Sequence, residues 1–492
     1  MKHHPKTGKP FTRGTVPRRV MAGLLIAGLA ACASIEDRKP ELDSQFGNAA
    51  FKPLVPPGAI QQPSEWWTGF ESSQLNMLMG KAQTRNLDIG AAAARLRAAQ
   101  AGLDAAQASF LPSLNLNVGR QENTVKGVSI QGQATNNRGF FTSASLVASY
   151  EIDLWSRVRN TAQAAEFQLK ATEYELAAAR ISIAGQLAST WAQWVAADQT
   201  VRLLEKELSS FRTNLELVEL RFRQGTAVAS DVLQQRQLAE SAQGNLALAI
   251  SNREVLLNSL AVLAGQPPNS ISLAGEDLPS LPPLPSTGLP AELLNRRPDV
   301  QQAWAQVQAV DRNVAAAIAA RFPQLSLRAS FSDQTRNSDL LFDNWVRNLS
   351  LNLVTPLFDG GARSAEVERQ RALLQQAVAQ YQKAALNALA DVDNALLQET
   401  QQQAAVESTR RQLELAELSL ARLFAGYRNG SVDYLAILNA QQSTSQLRRN
   451  LVNSQQQLVS FRIALYRALS GNIPGTVSQS RPATDTQAAP QS

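Results

Sequence analysis

The feature that most constrains this chain is an internal repeat, in which the two halves match at a shift of roughly 205 residues. Arg221-Phe222-Arg223-Gln224-Gly225 answers Gly426-Tyr427-Arg428-Asn429-Gly430, and Leu263-Ala264-Gly265 answers Leu469-Ser470-Gly471. Phe110-Leu111-Pro112-Ser113-Leu114 answers Phe322-Pro323-Gln324-Leu325 with the shift a few residues larger. Each half reads helix, strand, strand, long helix, turn, helix. Two strands per half are too few to close a sheet, so neither half is an independent domain.

The long helices carry the clearest periodicity. Val201, Leu204, Leu208, Phe211, Leu215, Val218 and Phe222 step alternately by three and four, which is a coiled-coil seam. The same register gives Val406, Thr409, Leu413, Ala416, Leu420, Leu423 and Tyr427 in the second half, and Leu447, Leu451, Ser454, Leu458, Phe461 and Leu465 continue it after the second turn. A helix over 159–224 extends on the order of 100 Å, longer than a compact globule needs. The opening helix, over 75–110, and the post-turn helix, over 231–264, match that length if stacked end to end. Glutamines such as Gln234, Gln235, Gln237, Gln375, Gln376, Gln441 and Gln442 suit a wet, uncharged wall. The heptads alone fit a soluble helical bundle equally well.

The strands discriminate between the two. Segments near 114–124, 140–154, 324–333 and 344–355 alternate apolar and polar, for instance Ala144, Leu146, Ala148, Tyr150, Ile152 and Leu154 against Ser143, Ser145, Ser149, Glu151 and Asp153. Their length suits outer-membrane strands, with 127–139 and 334–339 as connections. Four strands cannot close a barrel, so a membrane-spanning sheet needs other copies, and three copies supply twelve strands. A small amphipathic sheet on a soluble domain is the alternative. Trp155 and Trp345 sit at strand ends, where aromatic girdles meet headgroups, while Trp191, Trp194 and Trp304 suit packing between helices.

The amino terminus bears on location. Lys2, Lys6, Lys9, Arg13, Arg18 and Arg19 precede an apolar run over 20–31, too short for a permanent span. It ends in Leu29-Ala30-Ala31-Cys32, which resembles a bacterial lipobox. That reading makes residues 1–31 a lipoprotein signal peptide and Cys32 the site of a diacylglyceryl and an N-acyl group; the alternative is an ordinary secretory signal with an incidental cysteine. Ala33-Ser34 lack the aspartate that retains lipoproteins in the inner membrane.

Of 47 basic and 41 acidic residues, the leader takes six basic ones, leaving a balanced chain with no basic stripe for nucleic acid. His3 and His4 leave with it, and Cys32 is the one cysteine, so histidine- and thiol-based catalysis and metal ligation have no residues to use. No cofactor beyond the lipid is expected, and no turnover chemistry. No later stretch approaches the run of about 18 apolar residues that a transmembrane helix requires, so a membrane crossing would be made by strands.

The expected division is a lipidated extended segment over 32–65, a first repeat over 66–268 with its tip near 225–231, a Pro-rich connection over 269–290, a second repeat over 291–472 with its tip near 428–434, and a disordered polar tail over 473–492. Arg296-Arg297-Pro298-Asp299 reads as a helix start.

Trp66-Trp67 with Phe70 and Leu75, then 289–300 (LPAELLNRRPDV), Pro356-Leu357-Phe358-Asp359-Gly360-Gly361 and Tyr427-Arg428-Asn429-Gly430, in this order and spacing, resemble the outer membrane factor family, the TolC/OprM/NodT-type channels, and most nearly its lipoprotein branch serving RND efflux systems. The resemblance covers almost the whole mature chain. It implies a mainly α fold with a membrane β part: a homotrimer whose long coiled-coil helices form an α-helical barrel and whose four strands per chain build a twelve-stranded outer-membrane β-barrel. It further implies a passive exit duct for drugs or other small toxic molecules, lipid-anchored in the bacterial outer membrane, extending into the periplasm and docking a periplasmic adaptor and an inner-membrane RND transporter.

By the same resemblance, Gly225 and Gly430 mark the adaptor-docking turns, and Asp231, Tyr427 and Asp433 the periplasmic tip or gate. Ala436 and Asn439 stand where some relatives are acidic, which weakens the case for a second charged ring. Asp231 and Asp433 equally suit helix N-caps. Protein or peptide secretion and metal efflux are alternative duties for such a duct, and a non-channel structural lipoprotein is an alternative of another class.

Overall fold

The computed structural model describes residues 65–128, 134–285, 290–335 and 343–469. The signal segment, Cys32, the rest of 32–64 and the tail over 473–492 lie outside the described residues, as do the tips of both strand hairpins.

Two helices of 67 residues dominate. To set them in order, the chain runs through a 3-10 turn (Trp66–Phe70), α1 (Ser73–Arg85), α2 (Leu87–Ala108), β1 (Ser113–Val128), β2 (Ala134–Ile152), α3 (Arg157–Arg223) and α4 (Ala229–Leu263). The second repeat follows with α5 (Pro290–Arg296), α6 (Pro298–Ala319), β3 (Gln324–Thr335), β4 (Trp345–Val354), α7 (Ala362–Arg428) and α8 (Tyr434–Leu469). α3 and α7 have 67 residues each and α2 and α6 have 22 each, so the repeat is close to residue-exact in its helices. The strand hairpins differ: β1 and β2 have 16 and 19 residues, β3 and β4 only 12 and 10.

The opening helix expected over 75–110 is broken at Asn86, whose backbone is extended at φ −62° and ψ 131°. Its Oδ1 accepts from the N–H groups of Asp88 (2.9 Å) and Ile89 (3.1 Å), capping α2, and its Nδ2 donates to the Leu263 carbonyl at 2.9 Å. The break exists because α4 ends there. Gly265 has φ +69°, and a Cβ on it would lie 2.3 Å from the Arg85 carbonyl oxygen, so the approach needs glycine. α4 and α2 thereby stack end to end beside α3, as their summed length suggests.

The second repeat makes the same join with different chemistry. Pro298 starts α6 and Arg297 is its N-cap. The Arg297 guanidinium, nearly buried, donates to both carboxylate oxygens of Asp299 (3.0 and 2.7 Å), to Asp391 of α7 (3.0 Å) and to the Ala468 carbonyl at the end of α8 (3.4 Å). Sequence periodicity gave Arg297 no such role.

The α3 seam is buried at Val201, Leu204, Leu208, Phe211 and Val218, but Phe222 at its end is exposed. In α8 Leu465 of the expected seam is fully buried, whereas Leu458 and Phe461 are half-buried and Val459, Ile463 and Tyr466 are buried beside them. α8 packs against both α3 and α7, so two of its faces are covered at once. The main core joins Trp66, Trp67 and Phe70 to Trp191 and Tyr466, with Trp66 stacked on Tyr466 at 5.4 Å. Trp304 packs on Tyr381 at 5.3 Å.

Against that expectation, one helix among the described residues meets the length and composition of a span: α4 has an 18-residue window of mean hydropathy 1.4. Its apolar residues are interrupted by Asn252, Arg253, Glu254 and Asn258, and it lies along α3. Leu248, Val255 and Val262 on it are exposed.

The four strands form one antiparallel sheet in the order β1-β2-β3-β4. Among the described residues β1 and β4 each have a single paired neighbour. Leu114 pairs with Ala148, Ala148 with Ala329 and Ala329 with Leu349, and directly paired residues share a face. That face therefore carries Leu114, Leu116, Val118, Leu146, Leu327, Phe331, Leu349, Leu351 and Leu353. The other carries Asn115, Asn117, Ser145, Ser149, Ser326, Ser330, Asn348, Ser350 and Asn352. The helices attach at one end of the sheet, and the strand ends at Val128, Ala134, Thr335 and Trp345 lie at the other.

Candidate functional site

At the end of α3 far from the sheet, both turns close their helices in one way. Gly225 and Gly430 follow the C-caps Gln224 and Asn429 with φ +71° and +76°. Thr226 N–H donates to the Arg221 carbonyl (2.9 Å) and Gly225 N–H to Phe222 (3.0 Å); Ser431 N–H donates to Gly426 (3.0 Å) and Gly430 N–H to Tyr427 (3.0 Å). Each is a Schellman motif, which satisfies carbonyls that the helix end leaves free and which needs a left-handed residue. The hydroxyls of Thr226 (3.1 Å) and Ser431 (3.0 Å) donate to the same two carbonyls, so the C″ residue of each turn carries a matching donor.

The two turns meet in one small core. Val218 of α3 packs with Tyr434, Ile437 and Leu438 of α8, flanked by Val232, Leu420, Leu423, Phe424 and Tyr427. Tyr427 receives the Arg221 guanidinium over its ring at 4.4 Å and lies 5.3 Å from the Tyr434 ring. It thus ties the two hairpins of one chain together, through a cation on a ring face. The Tyr434 hydroxyl donates to Gln235 Oε1 at 2.7 Å, and Gln235 Nε2 donates to the Phe211 carbonyl at 2.8 Å. Gln235 is wholly buried, so both bonds matter to it. Burial, with lesser contributions from Tyr427 and Asp231, pushes the Tyr434 phenol above the ordinary tyrosine range.

The two tip carboxylates sit differently. Asp433 immediately precedes α8, its side chain accepting from Leu435 N–H at 3.4 Å and its carbonyl from Ala436 N–H at 3.2 Å, which is the N-cap place. Asp231 is not an N-cap. It is the third residue of α4, with Val228 in the cap position, and it reaches back to the Val228 N–H at 3.5 Å. The helix begins three residues earlier than a cap at Asp231 requires, with Val228 extended at φ −96° and ψ 156° as the cap. Neither carboxylate is in an ion pair with a described residue. Asp433 is exposed and Asp231 half-buried, so both remain open to a further copy.

From the sequence, Arg221 is marked only as part of the repeated turn, Tyr434 is unmarked, and Gln235 and Gln441 are assigned to a wet wall, whereas both glutamines are buried. The signal was there in the repeat's asymmetry: Tyr434 stands where the first repeat has Ala229, and Gln235 where the second has Ala440.

At the sheet, aromatic pairs mark both ends of the apolar face. Trp155 stacks on Phe322 at 4.9 Å and donates from its indole N–H to the Pro323 carbonyl at 2.8 Å, next to the helices. Trp345 stacks on Phe331 at 5.0 Å toward the hairpin tips. Among the described residues no three His, Cys, Asp or Glu side chains gather to hold a metal.

Comparison with known proteins matches this chain to the outer membrane efflux protein family model over residues 78–266 and 289–471, which takes in both repeats. The chain is 33% identical over 419 residues to the pyoverdine export outer membrane protein OpmQ of Pseudomonas aeruginosa, covering 83% of this chain and 87% of that one. It is 28% identical over 420 residues to the cation efflux system protein CusC of Escherichia coli, covering 83% and 89%. Among solved structures, the outer membrane protein VceC of Vibrio cholerae superposes with a TM-score of 0.76 at 27% identity, covering 84% of this chain and all of that one. Mainly helical, with a four-stranded sheet, and matched across both repeats, the chain belongs to the outer membrane efflux protein family.

Proposed function

We propose that this chain is the passive outer-membrane exit duct of a tripartite efflux assembly, working as a homotrimer. The observation that carries the reading is a four-stranded sheet with an apolar face, an Asn- and Ser-rich face and two singly paired edges, set at one end of helices about 100 Å long. Unpaired edges are untenable in lipid. Twelve strands from three copies remove them and leave the polar face around a wet lumen. Exposed Leu248, Val255 and Val262 on α4 and Leu386, Leu397, Leu415 and Leu418 on α7 suit a seam with neighbouring copies, since α4 and α7 flank the α3–α8 pair.

Cys32 carries the lipid in this reading and holds the protein to the outer membrane. The turns at Gly225 and Gly430 face the periplasmic adaptor, and energy and cargo choice belong to an inner-membrane RND transporter. Asp231 and Asp433, repeated by threefold symmetry, narrow the tip and favour cations there by field focusing. The cargo is drugs or other small toxic molecules. Pyoverdine or a compound similar to it is the second reading, favoured by the 33% identity to a pyoverdine export protein.

Single-channel recording in planar bilayers tests the duct. Purified protein should conduct, and Asp231→Ala with Asp433→Ala should raise the conductance or change its ion preference. A trimer that never conducts would leave a structural lipoprotein. Intact mass should show acyl groups on the mature protein that Cys32→Ala abolishes.

A further inference from the structure

The lipid-facing rows of the sheet change character at the hairpin end. On β1 the row Leu114, Leu116, Val118 continues as Arg120, Glu122, Thr124 and Lys126. On β4 the row Leu353, Leu351, Leu349 continues as Arg347 and Trp345. On β2 it passes through Ala148, Leu146 and Ala144 to Thr142, Phe140 and Arg138, and on β3 it runs from Leu327 and Phe331 to Asp333. All these residues share one face through the pairing register. β3 stops pairing at Thr335 opposite Thr142, while β1 and β2 continue to Val128 opposite Ala134, so Lys126 rides on a two-stranded ribbon beyond the sheet, whereas Arg120, opposite Thr142, and Arg347, opposite Phe331, stand within it.

Of the charges on this face, the Arg138 guanidinium bonds Glu122, and Asp333 is buried. Arg120, Lys126 and Arg347 remain exposed, with Arg120 lying 5.1 Å from the centre of the Phe140 ring. Arg120 and Arg347 are each the first residue past the apolar row of their strand, and they stand on the two edge strands. An occupant of this surface must offer acyl chains to Leu114, Leu116, Leu349 and Leu351 and anionic groups one step above them. Arginine matches phosphate oxygens in pairs, and basic residues at a bilayer surface are drawn to anionic headgroups. We infer that Arg120, Lys126 and Arg347 form a binding surface for the phosphates of a phosphorylated glycolipid of the outer leaflet. The inference rests on the barrel reading above, in which β4 of one copy meets β1 of the next and brings Arg347 and Arg120 to one seam.

The test uses full-length trimer in detergent with two probes, bisphosphorylated lipid A and its dephosphorylated form, read by native mass spectrometry. Wild type should retain the bisphosphorylated lipid and lose the other. The triple variant Arg120→Gln, Lys126→Gln, Arg347→Gln should retain the bisphosphorylated lipid more weakly, by on the order of 100-fold. Equal retention of both probes, or a triple variant that binds like wild type, overturns the inference. Bilayer conductance of the same samples separates the two readings: conducting protein without phosphate preference removes this one alone, and protein that forms no conducting trimer removes both.

Discussion

The two repeats share a backbone and differ in what they bury. Trp194 in α3 and Leu257 in α4 belong to the large apolar core of the first repeat. At the same places in α7 and α8 the second repeat has Glu399 and Arg462, an ion pair with both side chains nearly buried and 2.5 Å between Nη2 and Oε1. Arg462 also donates to the carbonyls of Pro282 and Pro283 in the connection between the halves. The tip repeats the lesson. Identical Schellman turns carry Ala229 in one repeat and Tyr434 in the other, and only Tyr434 reaches across to Gln235. A duplicated helix pair therefore keeps its turn geometry, which backbone hydrogen bonds impose, while each copy solves its packing independently.

The sharpest way to break this comparison is at the ion pair. Arg462→Met alone should destabilise the protein by about 3–5 kcal/mol, because Glu399 is left charged and buried. Glu399→Leu together with Arg462→Met imitates the apolar first repeat and should recover most of that loss in thermal denaturation of the detergent-solubilised protein. A double variant as unstable as the single one would show that the ion pair has no apolar substitute here.

A smaller effect is expected at Tyr434→Phe, about 1–3 kcal/mol, since the oxygen of the buried Gln235 amide loses its donor. Its pH dependence carries a sign. The folded phenol titrates above the ordinary tyrosine value near 10, so its stabilisation is complete below that pH and is lost as pH rises through the folded value. Denaturation followed from neutral to strongly alkaline pH should fall more steeply for wild type than for Tyr434→Phe; parallel curves would contradict the buried bond.

The smallest effects sharpen the comparison instead. Gly225→Ala and Gly430→Ala should each cost about 1–2 kcal/mol from the left-handed backbone alone, because a Cβ at either site meets no atom within 4 Å. Equal losses in matched melting curves would confirm that the turns are equivalent, and a much larger loss at one would expose a contact that the single chain lacks.

Much of the fold was legible in the residues. The three-four stepping from Val201 to Val218 is a local property of a helix, and the alternation from Ala144 to Ile152 is a local property of a strand, so both survive without knowledge of their neighbours. The glycine turns were legible for the same reason. The site was less so: Tyr427, Asp231 and Asp433 were named from the family resemblance, but Arg221, Gln235 and Tyr434 act through partners in the other hairpin, and nothing periodic marks such a pair.

By itself, then, the sequence determined the repeat, the long helices, the four amphipathic strands and the two left-handed glycine turns, because each is dictated within a few residues along the chain. Only the tertiary structure decided the break at Asn86, the burial of Arg297 and Arg462, and the Tyr434–Gln235 bond. Each of these depends on which atoms two distant segments bring together: the Arg85 carbonyl against Gly265, a guanidinium against helix ends and carboxylates, a phenol against a buried amide. A polar group withdrawn from water must be met by a partner wherever the fold puts it, and that place is not written in local periodicity.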